Sequence, residues 1–280
     1  MQQPTIAGVG RPKDLRRRAI LFPMKKMRLD DILMERGAFP NREAAKRAVL
    51  AREVRVGSEY PTSAAVKVAF DAEIHVKERM PYVSRGGYKL QGALDAFGQD
   101  VRGLRCCDIG SSTGGFSDCL LQAGAAQVTC VDVNYGELAW KVRSDPRVVV
   151  RERTNIRTAT SEELGAPFDL LVADLSFIGL ASLAPVFARL VEPGGLFIGL
   201  VKPQFESAHD ETEDGLVTDE AVRLRTVAEV EEALAAEGFE VTGCIESPIH
   251  GKKKGNVEYL VRAVMREPIG DELPSAGTSD

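Results

Sequence analysis

From residue 85 onward the chain alternates short apolar runs with longer stretches whose apolar residues recur at helical spacing. Strand-like runs fall at 103–109, 126–133, 147–152, 168–174, 195–201, 240–247 and 257–265. Between and before them, 87–97, 114–123, 136–144, 179–191 and 218–237 carry the period of amphipathic helices. In "GYKLQGALDAF" the residues Leu90, Ala93, Leu94 and Phe97 form one stripe. Lys89 sits beside that stripe in the first turn, where a cation opposes the positive end of the helix dipole. Strands separated by helices predict a parallel sheet covered on both faces, and the last two strands are close enough for an antiparallel hairpin. The expected fold is α/β, with a seven-stranded, mostly parallel sheet over 85–267.

Residues 28–78 read as a separate, small α+β unit. "RLDDILMERG" spaces Leu29, Ile32 and Leu33 helically and stops at Gly37. "NREAAKRAVLAR" has Asn41 as N-cap and Ala44, Ala45, Ala48 and Val49 inward. Three short β-type runs follow, "EVRVGSEY", "AAVKVAF" and "AEIHVKE". Residues 1–27 form an extension without useful periodicity, with Met24 or Met27 as alternative starts, and 79–84 read as a linker. The polar segment 268–280 and the acidic stretch "ESAHDETEDGLVTDE" are expected to be mobile.

Composition sharpens this division. Residues 1–80 hold 17 Lys+Arg against 10 Asp+Glu, net +7, whereas 81–280 hold 19 against 31, net −12. A basic small module joined to an acidic large one says more than the overall charge of −5. No apolar run approaches the roughly 20 residues of a membrane helix, and the patch Ala19–Met24, interrupted by Pro23, is too short for a signal segment. The odd set of five cysteines, four in strand- or helix-like segments, suits reduced thiols of the cytoplasm. Three scattered histidines and no CxxC predict no metal site.

"LRCCDIGSSTGGFSDCLLQAGA" is a strand, a tight glycine turn and a helix. Its glycines let backbone approach a ligand, and the helix start offers free N–H groups. Asp132 ends the next strand, 24 residues after Asp108, where an acid can accept the hydroxyls of a ribose. The spacing G-x-x-x-G-G is neither the dinucleotide G-x-G-x-x-G nor a Walker loop.

Several of these stretches resemble known families. "RLDDILMERGAFPNREAAKRAVLAREVRVGS" resembles the S4 RNA-binding domain, which implies that Arg28, Arg42, Lys46, Arg47, Arg52 and Arg55, with Arg85 beyond the linker, meet RNA phosphates. The strand and helix order resembles the Rossmann-like class I methyltransferases. "DIGSSTGGF" resembles the S-adenosylmethionine loop of the FtsJ-type RNA methyltransferases. That resemblance implies cofactor contacts from Asp108, Gly110, Ser111, Ser112, Thr113, Gly114, Gly115, Phe116, Asp132, Asn155, Ile156 and Asp174. In order, Lys89, Asp174, Lys202 and Glu258 match the catalytic K-D-K-E tetrad of the FtsJ-type ribose 2'-O-methyltransferases, and their flanks "SRGGYKL", "DLSF", "VKPQFE" and "GNVEYL" match too. With an S4 module in front, the chain is most similar to the TlyA family of rRNA 2'-O-methyltransferases, also labelled hemolysins. The resemblance implies cytidine targets in 16S and/or 23S rRNA, ribosomal subunits as partners, S-adenosylmethionine as cofactor, a cytoplasmic monomer, and neither metal nor membrane.

The chemistry asks for such a tetrad. A ribose 2'-hydroxyl is a poor nucleophile at neutral pH and must lose its proton, or be stabilised as an oxyanion, in line with a methyl donor. Lys202 is the expected centre. Its role stays open between base and alkoxide-stabilising ammonium; two nearby carboxylates favour the ammonium. A membrane-active hemolysin would need an exposed apolar or strongly amphipathic segment, which the sequence lacks. An RNA-binding protein with a vestigial enzyme domain would not need an intact tetrad and glycine loop.

Overall fold

The computed structural model describes residues 25–77, 80–251 and 255–267. Most of the expected N-terminal extension, residue 79 of the linker and the expected C-terminal tail lie outside the described residues. The chain divides into two units, Met1–Arg79 and Met80–Asp280.

In the first unit, β1 (Lys26–Arg28) runs directly into α1 (Leu29–Glu35), followed by α2 (Arg42–Leu50), β2 (Val54–Val56), β3 (Lys67–Ala69) and β4 (Ile74–Val76). β1 pairs with β3 and β2 with β4, both antiparallel. α1 ends before Gly37, whose φ of +68° suits glycine. Asn41 Oδ1 caps α2 by accepting from Ala44 N at 2.9 Å. Leu29 and Leu33 of α1 pack on Ala45, Ala48 and Val49 of α2 and on Val54.

The second unit begins with α3 (Gly86–Phe97) and continues β5 (Arg105–Ile109), α4 (Gly115–Gln122), β6 (Gln127–Val131), α5 (Trp140–Arg143), β7 (Val148–Arg151), α6 (Ser161–Leu164), β8 (Phe168–Ala173), α7 (Ala184–Ala188), β9 (Val191–Val201), α8 (Pro203–Glu206), α9 (Glu220–Ala236), β10 (Phe239–Glu246) and β11 (Tyr259–Met265). The seven strands lie in the order β10-β11-β9-β8-β5-β6-β7. β11 is antiparallel to both neighbours and the remaining pairs are parallel. One apolar layer gathers Leu171, Phe187, Phe197 and Leu234, and the other gathers Leu90, Leu94, Phe116, Leu120, Ile198 and Leu260. The predicted stripe of α3 is thus the inner face of the second layer. Strand order reverses at β5, which has β6 on one side and β8 on the other, so the carboxyl ends of β5 and β8 frame the crevice where such sheets bind ligands.

Two helix predictions are corrected. The helix expected over 179–191 is only a 3₁₀ turn (Ala181–Leu183) and α7, and β9 already begins at Val191. Pro193 disfavours helical backbone at the residue before it, and Gly194 turns with φ +76°, so the chain extends early. The helix expected over 136–144 shrinks to α5, because Gly136 takes φ +78° and 137–139 remain a loop. The short helices α6 and α8 were not anticipated; α6 exists through a capping box between Thr160 and Glu163.

Candidate active site

Glycines set the approach of the elements around the crevice. Gly110 follows β5 with φ +80°, and a Cβ there would lie 2.8 Å from the Asp174 carbonyl oxygen. At Gly115, the first residue of α4, a Cβ would lie 2.2 Å from Ser84 Oγ and 3.0 Å from Gly87 N. At Gly87 it would strike the Tyr82 ring at 2.2 Å. The "SRGG" and "TGG" words therefore let α3 and α4 start against each other. Gly114 serves a different contact: a Cβ there would meet Leu138 and Val142, so it packs the loop before α5 and does not line the crevice.

Two ion pairs stand at the strand ends. Asp174 directly follows β8 and Lys202 directly follows β9, and Lys202 Nζ lies 2.6 Å from Asp174 Oδ1. That contact is ionic rather than a directed hydrogen bond, since Asp174 Oδ1 has no aligned donor. Lys89 on α3 is 7% exposed and Glu258 is 2% exposed, and Lys89 Nζ donates to Glu258 Oε2 at 2.5 Å. The register Tyr259↔Val201 between β11 and β9 sets Glu258 opposite Lys202. Strand order and register thus bring Glu258 beside Lys202, although 56 residues separate them in the chain.

Three adjoining cavities open around these pairs. The first, about 370 Å³, is lined by Ile109, Asp132, Val133, Thr154, Ile156 and Leu175 among others. The second, about 170 Å³, is lined by Asp108, Gly110, Ser111, Ser112, Thr113, Gly115 and Phe116, with Asp174 and Lys202. The third, about 390 Å³, is lined by Lys89, Lys202, Gln204, Phe205, Asn256 and Glu258. Asp174 lines the first two, Lys202 the last two, and Ser176 all three. Asn155 departs from the expectation: it lines an adjacent cleft with Arg151 and Arg153, and its Oδ1 accepts from Arg157 N at 3.0 Å. Thr154 and Ile156 line the crevice in its place.

The carboxylates on the glycine-loop side are held by backbone. Asp132 accepts from Ser112 N at 2.7 Å and Asn134 N at 2.8 Å, which fixes it at the end of β6 with lone pairs to spare. Asp108 Oδ2 accepts from Ser117 N at 2.9 Å and Ser117 Oγ at 2.5 Å, while Oδ1 is buried without a partner. Burial pushes the Asp108 carboxyl from 3.8 up to about 7. A folded-state value above the unfolded one favours the neutral acid, so this contribution to stability is present at low pH and is lost as pH rises through about 7. Urea unfolding at pH 5 and pH 8 should show Asp108→Asn gaining a few kcal/mol on the native sequence at the higher pH, one pKa unit being about 1.4 kcal/mol. An equal difference at both values would contradict the assignment.

Sequence reasoning missed Ser117, Ser176, Phe177, Gln204 and Asn256. The Gln204 Oε1 has no hydrogen-bond partner, and Asn256 clamps the 215–217 segment by accepting from Val217 N at 3.0 Å and donating to Gly215 O at 2.8 Å. The "GN" of "GNVEYL" was the only available signal for the last of these. Among the described residues, no group of three or more His, Cys, Asp or Glu side chains is arranged to hold a metal ion, and no helix is long and apolar enough to cross a membrane.

In the first unit, several predicted RNA-facing cations already have carboxylate partners. Arg28 donates to both oxygens of Asp30, at 2.9 and 2.7 Å; Arg42 bonds Asp31; Lys46 donates to Glu43 at 2.8 Å. Arg47 and Arg52 are exposed and Arg55 is half-buried. In the second unit, Arg85 precedes α3 and bonds the His250 carbonyl.

A seven-stranded sheet with its penultimate position in space taken by an antiparallel final strand, and a ligand crevice at the β5 switch point, is the architecture of the class I methyltransferases. The FtsJ-like methyltransferase pattern matches residues 82–264, and the chain belongs to that family; it is a methyltransferase. The YqxC protein of Bacillus subtilis is 44% identical over 241 residues, 85% of each chain. The 16S/23S rRNA (cytidine-2'-O)-methyltransferase TlyA of Mycobacterium tuberculosis is 41% identical over 240 residues, 85% of this chain and 89% of its own. A solved structure from Streptococcus thermophilus that carries a hemolysin name is similar with a TM-score of 0.66 and 35% identity, across 90% of this chain and 93% of that one.

Proposed function

We propose that the protein moves a methyl group from S-adenosylmethionine to the ribose 2'-hydroxyl of a cytidine in 16S and/or 23S rRNA, acting as a cytoplasmic monomer on ribosomal subunits. The observation that carries this reading is the place of Lys202, which lines both the cavity of the glycine loop and the cavity of the Lys89–Glu258 pair. The identity to TlyA supports the choice of rRNA cytidine.

The crevice fits the cofactor on its own chemistry. The partnerless Asp108 Oδ1 suits the cationic amino group of a methionine moiety, Asp132 suits ribose hydroxyls, and the apolar wall of Ile109, Val131, Ile156 and Leu175 suits a flat base. S-adenosylmethionine supplies an electrophilic sulfonium methyl when bound. Lys202, paired to Asp174, sets a cation beside the developing alkoxide of the target ribose, and the 2'-hydroxyl proton passes to solvent water. Glu258 and Lys89 line the third cavity together with Lys202 and hold the target ribose there.

The first unit serves as an S4-like phosphate grip, with Arg47 and Arg52 among its exposed predicted contacts. Arg47→Ala/Arg52→Ala should weaken binding to ribosomal subunits and flatten the log–log salt dependence by about one for each phosphate left without its arginine. Turnover at saturating subunit concentration should stay near the native value. Filter binding between low and high salt tests this; an unchanged slope would remove these arginines from the interface.

A further inference from the structure

The chain leaving β8 and the chain leaving β9 are tied at four successive levels. Lys202 Nζ lies 2.6 Å from Asp174 Oδ1 and 3.4 Å from Ser176 Oγ. The rings of Phe177 and Phe205 are 5.4 Å apart. At the far end, Glu206 Oε1 accepts from the Leu180 N–H at 2.6 Å. Gly179 makes room for it: a Cβ there would lie 2.4 Å from Glu206 Oε2.

Glu206 is an unusual place for a carboxylate. It is half-buried, burial pushes its carboxyl above the usual range, and the charged group acting on it is another carboxylate, Glu229. Its hydrogen bond comes from the backbone of the neighbouring chain segment. Between the tied levels, Phe177 takes φ +68° while 89% exposed. A bulky residue persists in that left-handed region only where its surroundings over-determine it, and its own side chain is too exposed to do so. The segment it belongs to borders all three cavities through Ser176.

We propose that Glu206 is a positioning residue for methyl transfer: by fastening the Gly179–Ala181 backbone to the end of α8, it keeps Ser176 and Phe177 at the cavity junction and Lys202 on Asp174. This rests on the methyl-transfer reading above. A plain structural cap would be worth stability alone; a positioning residue affects turnover more than cofactor affinity or melting.

The test uses the full chain and purified ribosomal subunits. Glu206→Ala should lower turnover at saturating substrates roughly ten- to a hundredfold, the scale of a hydrogen bond to a charged group. Calorimetric affinity for S-adenosylmethionine should stay within about threefold, and Glu206→Gln, which keeps an acceptor oxygen, should recover most of the loss. Gly179→Ala should reproduce the loss in the native background and add little in the Glu206→Ala background, since the tightest contact, Glu206 Oε2, is gone and only the Phe205 carbonyl oxygen, 3.1 Å from the new Cβ, stays close. Amide hydrogen exchange at Ser176–Ala181 should accelerate at least tenfold in Glu206→Ala, a readout that needs no substrate. Native turnover in Glu206→Ala, additive losses from the two substitutions, or equal falls in turnover, affinity and melting temperature would each overturn the assignment. If the native protein methylated no ribose, the methyl-transfer reading would fall, while the exchange measurement would still decide whether Glu206 holds the segment.

Discussion

Lys202→Ala is expected to lower methyl transfer at saturating substrates by roughly a thousandfold, while calorimetry still registers cofactor binding. Removing a single donor to a developing oxyanion costs about 10²–10³ in rate. Lys202 is also the partner of Asp174, whose Oδ1 is closed off from solvent and has no aligned donor, so the substitution leaves a carboxylate facing the reacting oxygen. That second effect pushes the loss toward the upper end. The fold itself should survive, because Asp174 retains some solvent access at 23% side-chain exposure, and its charge can be hydrated. Lys202→Arg keeps the charge but replaces a compact ammonium by a planar guanidinium, and an intermediate rate is expected. Normal turnover by Lys202→Ala in a single-turnover assay would remove Lys202 from the chemistry.

The second large effect separates stability from activity. Lys89 and Glu258 are buried partners, and removing one leaves the other as an uncompensated buried charge. Lys89→Met or Glu258→Leu alone should each destabilise the protein by about 3–5 kcal/mol. The double substitution should regain most of that, since an apolar pair of similar volume is often as stable as the ion pair it replaces. Methylation should remain lost in the double variant, because the third cavity no longer has the charges proposed to orient a ribose. Thermal unfolding and methyl incorporation, measured side by side on the four proteins, check both halves. Full activity in the stable double variant would reduce the pair to a structural one.

The sheet was legible because its strands are apolar and separated by helical periods, and the antiparallel placement of β11 followed from the short gap after β10. The tetrad was legible only through flanking words: periodicity alone makes Lys89 a surface lysine on an opposed dipole, and its burial becomes visible once Glu258 arrives from 169 residues away. What the sequence concealed depends on register and close approach. Glu206 resembles any helix-terminal acid until Gly179 is brought beneath it, and Ser117 is unremarkable until its N–H and hydroxyl both reach Asp108. Asn155 was placed by its neighbourhood in the chain, but a local turn with Arg157 N directs it into the adjacent cleft. Pattern reading overextended the 179–191 helix because apolar spacing cannot show that Pro193 and Gly194 draw Val191 into a strand.

Incubation of purified small and large ribosomal subunits with methyl-labelled S-adenosylmethionine and the native protein, followed by mapping of the modified nucleotide, addresses the central claim without intermediaries. The account predicts label on the 2'-oxygen of a cytidine ribose in one or both rRNAs, absent with Lys202→Ala. Label on a base or a ribosomal protein, or equal labelling by the Lys202→Ala variant, would contradict it.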